Sequence, residues 1–327
     1  MTTVVLVAAA LLSMSPGPAR SDSPQATAKP AAPVPDRVTV LKQAEDAQKA
    51  GRYDEAARLL QLAADRYQSV QAYLDLARLQ SRTKQTPAAL TSLAKAREIA
   101  PNAEEVLSAC AQLALASKLP MPAVMTLVPL TRMYPSVAQY QYLLGVGLMA
   151  LGDVPSAIDA LREADRLEPD RAVTLLALGL SLNNQKLFAD AKAALSRSLE
   201  LQPDSNEAVA AIAEAEAGLG DLEGATAHAR QALERSPSSA TANLVTGLVA
   251  LERGQYAAAR DALLTANQSD PDSPKVLYQL SLVFARLGDD ERARQYVTLY
   301  QEKLRDVENR IKALRAGGAF TPGRAQR

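Results

Sequence analysis

Across residues 172–205, Leu175, Leu178, Gly179 and Leu182 recur at i, i+3, i+4 and i+7. That period places them on one face of a helix. A polar stretch follows at 183–187, and Ala191, Leu195 and Ser198 then mark a second helix at i, i+4 and i+7. Pro203 cannot continue that helix, because it lacks a backbone donor and its ring clashes with the preceding turn. The segment therefore predicts one helix–turn–helix unit.

The same pattern recurs in steps of 34 residues. Prolines stand at 101, 135, 169, 203, 237 and 271, and alanines at 89, 123, 157, 191, 225, 259 and 293. A third series of small residues runs through Ala77, Ala111, Gly145, Gly179, Ala213, Gly247 and Ser281. A fixed period of this length is the mark of a stacked repeat. Small side chains at the eighth and twentieth positions of each unit predict where its two helices touch. Filling such a position costs about 1–3 kcal/mol by overpacking.

The resulting units span 70–103, 104–137, 138–171, 172–205, 206–239, 240–273 and 274–307, and an eighth lies upstream at 37–69 with its phase displaced by one residue. Two features depart from the pattern. Pro129 falls well inside a second helix and is expected to kink or shorten it. After Gly288, Val297, Tyr300, Leu304, Val307, Ile311 and Leu314 are spaced by three and four, so the last helix is expected to run to about residue 314. This stripe predicts a capping helix over the last unit, ending at 308–315, and its alternative is a dimerisation seam.

The residues Leu144, Gly145, Leu148, Gly152, Ala157, Leu161, Ala164 and Pro169 carry a resemblance to the tetratricopeptide repeat family, as do Leu178, Gly179, Leu182, Ala191, Leu195 and Pro203. The resemblance covers about 37–307. The large aromatic usual at the fourth position stands only at Tyr73, whereas Leu107, Gln141, Leu175, Val209, Asn243 and Leu277 replace it elsewhere. The fold it implies is all-α: a right-handed α-solenoid of about eight helix–turn–helix repeats with an extended C-terminal capping helix. The function it implies is a non-catalytic scaffold that binds a protein or peptide.

In that family the concave face is lined by the first helix of each unit. Carrying its positions over gives Tyr142, Val146 and Met149 in the fourth unit and Leu176, Leu180 and Asn183 in the fifth. The seventh contributes Leu244, Leu248 and Leu251, and the eighth Tyr278 and Leu282. The sixth interrupts this apolar face with Glu207, Ala210 and Glu214. Relatives that clamp a terminal carboxylate use Lys, Asn and Arg, and here only Arg78 and Arg82 come near that set. The expected partner is therefore an apolar or amphipathic protein segment.

Composition changes little in this picture. The chain has 327 residues, 48% of them apolar but only 4% aromatic, so Ala and Leu must fill the core. Lys plus Arg and Asp plus Glu both number 36, which removes the field of a general nucleic-acid binder. With one cysteine and one histidine, the chain offers neither an internal disulfide nor a multi-histidine metal site. No P-loop, dinucleotide-binding or hydrolase motif occurs. No catalytic residue, metal ligand or cofactor is therefore expected. Cys110 takes a position filled elsewhere by Leu144, Leu178 and Ile212 and reads as a small buried hydrophobe. His228 reads as a surface or packing residue. Asp153, Glu163 and the Asp289–Asp290 pair read as charges that complement helix dipoles.

At the N-terminus the apolar run at 4–12 is too short to span a bilayer but fits a signal peptide, with small residues Gly17 and Ala19 before a cleavage point after residue 19. It lacks a basic n-region. The expectation is export to the periplasm or beyond, followed by a Pro/Ala-rich linker at 20–36. Gly-rich residues 316–327 are expected to be a loose tail.

Overall fold

The computed structural model describes residues 36–316. They form sixteen α-helices, with no strand among the described residues. In chain order the helices are α1 (Arg37–Lys49), α2 (Tyr53–Tyr67), α3 (Val70–Arg82), α4 (Thr86–Ile99), α5 (Glu104–Ala116), α6 (Pro120–Met133), α7 (Ala138–Leu151) and α8 (Val154–Leu167). They continue with α9 (Ala172–Asn184), α10 (Phe188–Leu201), α11 (Asn206–Leu219), α12 (Leu222–Arg235), α13 (Ala240–Glu252), α14 (Tyr256–Ser269), α15 (Pro274–Arg286) and α16 (Asp290–Ala316). Each odd helix packs antiparallel on the even helix after it, and each pair stacks on the next.

One backbone device repeats at every hairpin. The chain leaves the first helix through a left-handed residue, at Gly51, Lys84, Lys118, Gly152, Lys186, Gly220, Gly254 and Gly288. The next amide then bonds back to a carbonyl five residues earlier, as in Asp153 N–H to Leu148 O (3.0 Å) and Leu187 N–H to Leu182 O (3.0 Å). This satisfies carbonyls that the helix end would otherwise leave unpaired. Five of the eight turns use glycine, which enters this region without steric cost. The three lysines carry φ of 56–60° and bear the strain of a Cβ there. At the other end of each unit the prolines stand two residues past the last helical residue, as Pro169 does after Leu167, and all six are exposed.

The hairpins close through small-to-large contacts at the repeat's own period. A Cβ added to Gly145, Gly179 or Gly247 would lie 2.5, 2.4 or 2.6 Å from the Cγ of Leu161, Leu195 or Leu263, each fully buried on the second helix. In the sixth unit the corresponding residues are Ala213 and Ala229, which share one cluster.

From α3 onward the odd helices of neighbouring pairs also touch one another, whereas the even helices make no comparable contact. Helices that crowd in this way lie on the inside of the curve, so the odd helices line the concave face.

Two residues differ from expectation. Pro129 does not shorten α6, which at 14 residues equals α4, α8 and α10. The carbonyl it leaves without a donor belongs to Met125, and both residues face solvent, so that carbonyl is open to hydration. Cys110 is half-buried instead of enclosed, although it packs against the α2–α5 core and burial pushes its thiol pKa up. Asp153 stands at the N-cap of α8, the helix start where it was expected, with its side chain buried and accepting no hydrogen bond from the helix.

At 27 residues, α16 is about twice as long as its neighbours, roughly 40 Å at the α-helical rise. Its first half pairs with α15, where Tyr296 stacks on Phe284 at 5.5 Å and the Arg292 guanidinium lies 4.5 Å over the same ring. Its second half leaves the last unit and reaches α6 and α7. The expected leader at 1–19, residues 20–35 of the expected linker and residues 317–327 of the expected tail lie outside the described residues, whereas Asp36 is the N-cap of α1 and Ala316 the last residue of α16.

Candidate partner-binding groove

The concave layer carries the residues expected to line a groove, though not all in the same state. Tyr142 and Val146 on α7 and Leu176 and Leu180 on α9 are half-buried and flank one core cluster. Leu248 and Leu251 on α13 flank another. Tyr278 and Leu282 on α15 are the most open, at 44% and 40% exposure, and the Tyr278 ring lies 5.5 Å from that of Tyr300 on α16. Leu244 is buried and belongs to the packing between pairs. So does Asn183, which is 1% exposed and whose amide donates to the Ala211 carbonyl at 2.8 Å across to α11. Met149 is half-buried and accepts a contact from the Ser181 hydroxyl at 3.4 Å. The structure thus brings together one apolar patch on α7 and α9 and a second on α13 and α15, with α11 between them.

Of the acidic interruption on α11, Glu207 is exposed and Glu214 is not a free charge. Glu214 is largely buried and pairs with Lys275, two units further along the inner face on α15. Glu216, two residues on and turned to another side of α11, is almost fully buried; it receives the Lys192 ammonium at 2.9 Å and lies 2.6 Å from His228 Nδ1. That bond holds the Lys192 pKa above its ordinary value. Sequence reading missed this cluster, because its members stand on three helices with no periodic relation.

A cavity of about 680 Å³ opens between α3 and α5 and includes both Arg78 and Arg82 in its lining. Glu104 and Glu105 share that lining, and Arg78 is already paired with Asp75 at 2.9 Å. Arg78 is therefore already engaged, and Arg82 lies 5.9 Å over the Tyr53 ring. Tyr140 on the same wall donates to Glu104 at 2.6 Å, and burial together with that carboxylate pushes its pKa up to about 12. Burial also raises the pKa of Tyr142. Among the described residues no cluster of His, Cys, Asp and Glu could hold a metal ion, and no helix is long and apolar enough to cross a membrane.

The model of the tetratricopeptide repeat matches residues 41–104, 120–172, 176–240, 211–274 and 244–306, most of the described chain. The chain belongs to the tetratricopeptide repeat family. Tetratricopeptide repeat proteins generally mediate protein–protein interactions and are generally non-catalytic scaffolds. No curated protein matches the sequence. Among solved structures, a thermophilic tetratricopeptide repeat protein of Thermus thermophilus is 26% identical over 60% of this chain and 100% of its own, with a TM-score of 0.43. The pilF protein of Pseudomonas aeruginosa is 21% identical over 65% of this chain and 96% of its own, at 0.49. The C-terminal part of a repeat-containing protein of Cytophaga hutchinsonii is 18% identical over 73% and 99%, at 0.50, a likeness of fold.

Proposed function

We propose that this tetratricopeptide repeat solenoid is a non-catalytic adaptor whose concave face takes an apolar or amphipathic segment of a partner protein. The observation that carries the reading is the half-buried apolar surface of Tyr142, Val146, Leu176 and Leu180 on adjacent inner helices. Apolar side chains that a monomer leaves partly wet gain by being covered, at about 25 cal/mol per Å². An amphipathic helix laid in a groove is a recurring way to cover them. The test replaces Leu180 and Leu248 with Glu. Partner capture by the purified chain is expected to fall while circular dichroism shows intact helix, and unchanged capture with intact helix refutes the groove.

Self-association through the C-terminal helix is the alternative. Val297 and Leu304 stay exposed on α16, but Val307 and Leu314 are engaged within the chain. The remaining seam is shorter than the three to four heptads a coiled coil needs. Export is part of the proposal and rests on residues 4–19; fractionation of the native cells with N-terminal sequencing of the mature chain tests it.

A further inference from the structure

A second helix of this array needs about 14 residues to cover its partner, and α16 has 27. The surplus does not project into solvent. Lys303 pairs with Asp272 at 2.5 Å, Val307 lies on the turn glycine Gly152, and Leu314 enters the core cluster of α5–α8 at 1% exposure. Arg315 stands 4.0 Å from Asp153. The fourth unit thus meets the end of the eighth.

Two details of the fourth unit fit this contact and are not shared by its counterparts. A Cβ at Gly152 would lie 2.5 Å from Val307 Cγ1, whereas the turn glycines at 51, 220, 254 and 288 face open space. Asp221 and Asp289, the residues that follow the turn in other units, cap their helices through backbone amides. Asp153 at the same place does not; it is 3% exposed, with Oδ2 lacking any hydrogen bond. A buried carboxylate oxygen without a donor calls for a cation, and the Arg315 guanidinium stands 4.0 Å from that Oδ2. Between the strap and the inner face lies a cavity of about 930 Å³, lined by Met149, Asn184, Lys275, Leu304 and Val307 among others. The strap therefore roofs part of the concave surface.

We propose that residues 307–315 are an intramolecular ligand, and that the seat they fill on α6–α8 takes in trans a partner's amphipathic helix of the same chemistry. Such a helix carries apolar residues at the spacing of Val307, Ile311 and Leu314, followed at once by a basic residue for Asp153. The trans part rests on the adaptor reading; the cis part does not.

The experiment uses the full chain and amide hydrogen exchange. In the wild type, amides 311–316 are expected to be protected at least about tenfold over the unstructured rate, independently of protein concentration. Leu314→Gln keeps helix propensity but removes the buried side chain, and is expected to abolish that protection by about tenfold or more. Leu314→Met is expected to retain it, and Arg315→Glu to weaken it severalfold while α9–α13 stay unchanged. A synthetic peptide of residues 303–316, at concentrations well under the roughly millimolar effective concentration of the strap, is expected to protect the α7–α8 turn in Leu314→Gln and not in the wild type. Unprotected wild-type amides, or Leu314→Gln exchange equal to wild type, overturn the cis contact. Loss of protection on dilution overturns it too, since a second copy's α16 then fills the seat. Peptide protection that is equal in both chains, or absent from both, overturns the trans seat. The Leu180→Glu and Leu248→Glu variants probe α9 and α13, away from this seat, so the groove and the strap can fail separately.

Discussion

Replacing Gly179 with Ala puts a methyl carbon where the structure has no room. Its Cβ would sit 2.4 Å from Leu195 Cγ, 2.7 Å from Cδ2 and 3.2 Å from Cδ1. Carbon atoms pack at about 3.5–4.0 Å, so the Leu195 side chain must retreat by about 1 Å inside a site where it is fully buried. Overpacking of this kind costs about 1–3 kcal/mol, and the gain in helix propensity from Gly to Ala returns about 1 kcal/mol. The net expectation is a loss of about 1 kcal/mol. Leu195→Ala alone removes a buried leucine and should cost about 2–5 kcal/mol. In that background the cavity accepts the new methyl, the overpacking vanishes and the propensity gain remains. Gly179→Ala should then stabilise by about 1–2 kcal/mol, a coupling of about 2–3 kcal/mol between the two sites. The double variant recreates the Ala213–Ala229 pair that the sixth unit already uses. Because stacked repeats can unravel locally, global denaturation does not isolate the coupling within one hairpin. Hydrogen exchange of α9 and α10 amides, read as local opening free energies across the four variants, is the assay. If Gly179→Ala has the same sign with and without Leu195, the close approach does not account for glycine at this position.

Three further expectations follow from the turns, a buried phenol and the interior proline. Lys186 holds a φ of 59°, a conformation that costs a non-glycine residue about 1–2 kcal/mol; after the extra chain entropy of glycine, Lys186→Gly should stabilise the α9–α10 hairpin by about 0.5–1 kcal/mol in the same exchange measurement. Tyr140 and Tyr73 each have a folded pKa of about 12 against an ordinary 10. A raised folded value stabilises fully below the unfolded pKa and is lost as pH climbs through the folded one, so stability should fall between pH 10 and 12, and Tyr140→Phe should remove part of that fall in urea melts. Pro129→Ala restores an amide donor for the Met125 carbonyl and should raise thermal stability by about 1–3 kcal/mol, because α6 already runs through this position without a break.

The parts of the fold that repeat were legible, because a period of 34 residues writes each contact several times. The small residues at 145, 179 and 247 and their leucines at 161, 195 and 263 are such contacts. The left-handed turn was half legible: glycine marks it at five units, while Lys84, Lys118 and Lys186 satisfy the same geometry with a side chain that signals nothing. Pairs that occur once were not legible. His228 and Glu216 stand on different helices, and Lys275 finds Glu214 two units away. Among the groove positions carried over from the repeat register, Asn183 and Leu244 are turned into contacts with the next pair. Register fixes which way a residue points along its own helix; the angle between units decides whether the neighbour covers it.

The destination of α16 shows the same limit most sharply. A stripe of apolar residues at three- and four-residue spacing reads alike whether it caps the last unit, meets a second chain or folds back on its own. Only the receiving surface distinguishes these, and that surface lies some 150 residues earlier, at Gly152 and Asp153. The contact also alters what kind of object the solenoid is. In an open array each unit touches only its neighbours, and stability is nearly a sum of local terms. Leu314, buried among α5–α8, adds a term that joins the eighth unit to the third and fourth. Units four to eight then lie inside a closed loop, so opening any one of them strains a contact made by another. The buried carboxylate of Asp153 belongs to that closure: it accepts no bond from its own helix, and its charge partner, Arg315, stands on the strap.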